Sequence, residues 1–139
     1  MEIHLHPIIV HFPVALFLTA AGLEVLSLIF KKESLHQTAW HLFILAVAAA
    51  PLAVWTGLQE AEEHNLINHA VFNLHKNFGL LTMWGSLVSL PVILFFKKKN
   101  TRWFRTVFVV CAFLISMSVA ITAYNGGKMV YEYGIGVEE

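Results

Sequence analysis

The chain has 139 residues, 58% of them hydrophobic and only 13% charged, with a formal net charge of zero when histidine is neutral and a mean hydropathy of +0.68. Such values exclude an ordinary soluble domain and leave no cationic excess to bind nucleic acid. The apolar residues come in blocks long enough to cross a bilayer, which takes about 20 residues of helix, so the lipid bilayer is the solvent of a single domain spanning residues 1–139.

The first block, about residues 8–30, opens on "HLHPIIVHFPVAL" at residues 4–16, with His4, His6 and His11 at the head of a spanning helix. Pro7 suits a first helical turn, with His6 at its cap. No basic stretch precedes the block and no small-residue cleavage site follows it, so it is expected to be a retained span rather than a removable leader. Glu24 is the only carboxylate inside any block. Burying it is costly unless it is neutral, hydrated or paired.

"KKESLHQT" leads into a second block, about 39–58, which carries Trp55 and Gly57. His41, about a turn in, is at a height to pair with Glu24. "QEAEEHNLINHAVFNL" follows, with His64 and His69, before a third block at about 75–96 that begins with His75 and holds Gly79. After "KKKNTRW" the fourth block runs over about 103–124 and ends at Tyr124. It contains Cys111, the one cysteine, so neither a disulfide nor a CxxC site can form within the chain. Pro13, Pro51 and Pro91 fall inside spans, where neighbouring helices or water satisfy the backbone groups they release. The glycine-rich tail 125–139 reads as a docking strap.

The two short basic connections together with Arg105 hold seven of the nine Lys and Arg residues. The positive-inside rule places them in the cytoplasm and both termini outside, in a bacterial inner membrane. Short connections make adjacent helices antiparallel, and the expected fold is an all-α up-down four-helix bundle. Its first and third helices are diagonal. Counted from Phe30 and Phe96, His11 and His75 lie 19 and 21 residues up, a difference of about 3 Å at the helical rise. Level histidines on diagonal helices can clamp a haem iron from opposite sides. The second pattern open to these residues is a divalent copper, zinc or nickel site in the acidic, histidine-rich outer connection.

"HPIIVHFPVAL" at 6–16, Glu24, "LHKNFG" at 74–79 and "YNGGKMVYEYGIGV" at 124–137 resemble the bacterial membrane family known as domain of unknown function 2231. That resemblance implies four helices and supplies no activity. The chain is also similar, more loosely, to membrane domains fused to cytochrome c modules in planctomycetes and Bacteroidetes. These are expected to carry b-type haem, and the likeness implies His6, His11 and His75 as the matching positions. It departs at the fourth helix, where Tyr124 precedes the paired glycines and no histidine occurs, so a second haem lacks an obvious second ligand.

The reading that follows is an electron-transfer module with one haem b near the outer face. His11 and His75 are its first-choice ligands, with His6 and His69 as substitutes. Trp55, Gly57, Gly79 and Tyr124 line the pocket, and Glu24 and His41 form a separate intramembrane pair. Quinone and an extracytoplasmic cytochrome or respiratory complex are the expected partners, in a monomer or homo-oligomer. The alternatives are a divalent-metal-binding or transport-assisting protein, and a structural subunit of a larger membrane complex. No triad, phosphate loop or nucleotide motif points to enzymatic turnover by the chain alone.

Overall fold

The protein was studied as a computed structural model that describes residues 5–63, 70–99 and 101–134. Four helices fill that range: α1 (Leu5–Phe30), α2 (Glu33–Glu63), α3 (Ala70–Lys99) and α4 (Thr101–Tyr131). All four are long and apolar enough to cross a membrane. α1 packs along α2 and α3 along α4 as two hairpins, and the α1–α4 and α2–α3 seams join them into an up-down bundle with α1 and α3 on a diagonal. One end, here the terminal end, collects the start of α1 and the end of α4. The other, the basic end, collects Lys31, Lys32, Lys97 to Lys99, Arg102 and Arg105.

Every helix is longer than its apolar block. Three lysines close α3 inside the helix, and the ammonium groups of two of them, Lys97 and Lys99, reach ring faces. The Lys97 ammonium stands 4.9 Å from the Trp40 ring centre and that of Lys99 stands 4.6 Å from Phe95. At α4 the pair Gly126 and Gly127 does not end the helix, so residues 125–131 are helical rather than a strap; the rest of the proposed strap beyond Gly134 lies outside the described residues. The glycine that terminates the run is Gly134, whose φ of 63° suits it to a left-handed cap while its N–H donates to the Val130 carbonyl at 3.2 Å. Lys31 takes the same role after α1, at φ 53°. α1, α2 and α3 run through Pro13, Pro51 and Pro91 without a break.

The core is thin, as a single four-helix layer must be. Phe17, Phe43 and Phe108 are fully buried and meet edge to face, with ring centres 5.6 Å (Phe17–Phe43) and 5.4 Å (Phe43–Phe108) apart. Ala20, Ala39, Ala46, Ala50 and Ala112 let the backbones approach, which in lipid replaces the hydrophobic drive that water would provide. The outer surface carries Leu45, Leu81, Trp84, Val88, Phe113 and Leu114, a face suited to lipid tails. Buried hydroxyls return to carbonyls of their own helices or link neighbours. Thr82 donates to Ser118 at 2.9 Å, Ser118 donates to the Phe78 carbonyl at 3.1 Å, and Ser116 donates to the Phe17 carbonyl at 3.3 Å.

Candidate functional site

Two polar clusters stand at opposite ends of the bundle, separated by the aromatic core. From His6 to Glu24 along α1 is 18 residues, about 27 Å at the helical rise.

At the terminal end, the first turn of α1 and the second turn of α3 bring His6 and His75 together. Their ring centres are 6.1 Å apart with the planes at 87°. Each ring is held through Nδ1. His75 Nδ1 lies 2.9 Å from the Thr122 carbonyl oxygen. A carbonyl only accepts, so that nitrogen carries the proton. His6 Nδ1 lies 3.3 Å from Thr56 Oγ1, and the Thr56 hydroxyl is itself within donating distance of the Leu52 and Ala53 carbonyls at 3.0 and 3.1 Å. With its hydrogen committed to the backbone, the Thr56 oxygen accepts from His6. Both neutral rings are therefore Nδ1–H tautomers, and both Nε2 atoms keep a lone pair.

Two glycines allow this placement. A Cβ at Gly57 would stand 2.8 Å from His6 Cε1 and 3.0 Å from its Nδ1, and one at Gly126 would stand 3.2 Å from the same two atoms of His75. Thr122 and Gly126 are one turn apart on α4, so one face of that helix both bonds and cradles His75.

Phe and Trp rings of this protein that touch edge to face have centres 5.4 to 5.6 Å apart, and two smaller imidazoles in direct contact would sit closer still. A shared ion about 2.0 Å from each ligating nitrogen, plus a ring radius of about 1.2 Å, puts the centres about 6.4 Å apart when the nitrogens are opposed and nearer 5.2 Å at a tetrahedral angle. The observed 6.1 Å, between edge-to-face rings, falls between these two values. Among the described residues no group of three His, Cys, Asp or Glu side chains converges.

The ring opposite His75 is thus His6, which the sequence ranks behind His11. His11 is exposed, and its ring turns back on the Pro7 carbonyl of its own helix. Trp55 and Tyr124 do not line the pair. They are 58% and 64% exposed on the bundle perimeter, where amphipathic aromatics mark a membrane interface. Gly57 does line it, and Gly79 packs against the Thr122 methyl at the α3–α4 seam, 3.9 Å from its would-be Cβ. His4, His64 and His69 lie outside the described residues. The sequence does not single out Thr56 or Thr122, because a lone threonine in a span carries no pattern.

At the basic end Glu24 is paired with His36 rather than His41. Glu24, 2% exposed, accepts from His36 Nδ1 at 2.7 Å and from Arg105 Nε at 3.3 Å. Arg105 Nη2 donates to Ser27 Oγ at 2.7 Å, and Ser27 donates to the Glu24 carbonyl at 2.7 Å. His36 is wedged between the edges of Phe104 and Phe108, with ring centres at 5.5 and 5.6 Å. α2 starts at Glu33, so His36 is already in its first turn and faces inward while His41 is exposed. Arg105, counted in the sequence with the basic connection, completes the triad. Glu24 and Arg105 lie six and four residues from the basic ends of α1 and α4, so the counting of heights that levelled the histidines would also have found this pair.

No curated protein and no solved structure matches the chain. A family profile does match, over residues 2–139. By that match along nearly its whole length, the chain belongs to the family described as "Predicted membrane protein (DUF2231)".

Proposed function

We propose that the protein is a membrane electron-transfer module for one b-type haem at its terminal end, which His6 and His75 would hold. The observation that carries this reading is the spacing of the two rings, 6.1 Å between centres, with each Nδ1 hydrogen-bonded and each Nε2 left as a ligand. A hydrogen bond from the other ring nitrogen fixes the tautomer and orientation of a ligating imidazole. Bound haem supplies one-electron chemistry at iron, and the protein tunes it. The chain's own work is positional. Thr122 and Thr56 set the tautomers, Gly57 and Gly126 admit the rings, and the Phe17–Phe43–Phe108 core keeps the terminal end apart from the charged basic end.

The excess of Lys and Arg at the basic end favours a cytoplasmic location for it, which puts the haem near the extracytoplasmic face, between the quinone pool and an extracytoplasmic acceptor or donor. The test is a reduced-minus-oxidised visible spectrum of detergent-purified protein produced with haem supplied. The expected result is a b-type α band that is lost in His6→Ala and in His75→Ala and retained in His11→Ala. A band that depends on His11 and not on His6 would overturn the ligand assignment. A flat spectrum with stoichiometric metal would replace haem by a two-histidine ion site, and neither signal would leave a structural subunit.

A further inference from the structure

The α1–α4 seam opens near the basic end into a cavity of about 470 Å³ lined by Leu28, Arg102, Arg105, Thr106, Val109 and Val110. That volume lies in the range of small-ligand sites. A smaller void of about 20 Å³ continues the seam along Ala21, Val25, Val109 and Ala112 to the wall of Glu24. The walls are apolar away from the two arginines. Arg102 and Arg105 lie in the first two turns of α4, at the bundle end, while Val109 and Val110 lie one to two turns deeper. The opening therefore has a cationic head at interface depth and an apolar body that runs towards the middle of the span.

The occupant follows from that distribution of charge. Seven Lys and Arg side chains gather at this end against two carboxylates, Glu24 and Glu33. Arg105 is held on one side by Glu24 and Ser27, and its Nη1 forms a 3.8 Å ion pair with the exposed Glu33 carboxylate, a solvent-facing contact longer than a hydrogen bond that an incoming phosphate can replace. A neutral amphiphile has no use for two guanidinium groups, and a soluble anion has no use for the apolar walls. Arginine recognises phosphate oxygens through paired N–H donors, and basic pockets between spanning helices bind anionic headgroups. We infer that the α1–α4 groove is a binding site for an anionic phospholipid, with its phosphate between Arg102 and Arg105 and an acyl chain along Leu28, Val109 and Val110.

The experiment uses the full-length protein, delipidated in neutral detergent. The thermal midpoint is followed while phosphatidylglycerol, phosphatidylcholine or inorganic phosphate is added, and native mass spectra count bound lipid. Phosphatidylglycerol is expected to raise the midpoint and to be retained at one per chain, and the other two additions are expected to do neither. Arg102→Gln should weaken the response about fivefold, the effect of one interfacial cation, and Val109→Trp, which fills both voids, should abolish it. Folding of each variant is checked by its unliganded midpoint, and Arg102→Gln, which lies away from the buried Glu24–His36 contact, tests the site without changing the volume of the seam. Equal responses to the two lipids, an equal response to phosphate alone, an unaltered response in both variants, or cross-linking that places a second copy in the groove would each overturn the assignment.

Discussion

Gly57→Ala tests the histidine pair at its tightest point. The added Cβ would lie 2.8 Å from His6 Cε1, whereas carbon atoms pack at about 3.5 Å or more, so the ring must retreat by about 0.7 Å. A retreat of that size exceeds the tolerance of about 0.2 Å on metal–ligand distances. It also draws His6 Nδ1 away from Thr56 Oγ1, a bond already at 3.3 Å and worth about 1 kcal/mol. Against that, alanine in a helix interior gains about 1 kcal/mol over glycine. The two terms cancel, and the variant is expected to unfold within about 0.5 kcal/mol of the parent while its haem affinity falls about 10- to 100-fold, as for other losses of ligand support. The assay is a haem titration read at the Soret band, beside thermal denaturation of the same samples. Gly126→Ala, with its closest contact at 3.2 Å, should lose less. Full haem affinity in Gly57→Ala would refute the reasoning, because the ring could then move without consequence for the iron.

The remaining predictions concern the basic end, the hydroxyl links and the sidedness. His36→Ala strips the buried Glu24 carboxylate of its 2.7 Å donor and should cost about 3–5 kcal/mol, whereas His41→Ala should stay within about 0.5 kcal/mol; unfolding in mixed micelles of rising denaturing-detergent content measures both. Ser118→Ala removes the α4 hydroxyl that bonds Thr82 and the Phe78 carbonyl of α3 and should cost about 0.6 kcal/mol, the average for such bonds between spanning helices, by the same assay. In a Cys111→Ala background, Glu62→Cys should react with a membrane-impermeant maleimide in intact cells and Lys32→Cys only after lysis. The opposite pattern would invert the sidedness of the haem and of the lipid groove together.

What the sequence determined by itself is what adds up along the chain. Hydropathy summed over about 20 residues marks a span wherever it lies in the fold, and the bias of lysine and arginine marks one end. Four helices, their antiparallel order and the diagonal placement of α1 and α3 follow from those local sums. The rotation of each helix about its axis does not, because lipid is as apolar as leucine and an all-round apolar helix carries no stripe that says which face turns inward.

Tertiary structure decided that rotation, and it acted through the helix ends. Lys97 to Lys99 look like a connection but stay helical over the rings of Trp40 and Phe95, so His75 lies 24 residues from the basic end of α3, as His6 lies 24 from the basic end of α1. Counting from Phe96 instead shortened that height and levelled His75 with His11. The same effect hid His36, which belongs to the first turn of α2 although it precedes the apolar block. In each case the residue expected and the residue found are five positions apart, about 140° around a helix at 3.6 residues per turn. That rotation is enough to exchange the inward face for the outward one. Only the packing of four helices against each other, with glycines where rings must pass and a buried carboxylate in need of donors, selects between the two.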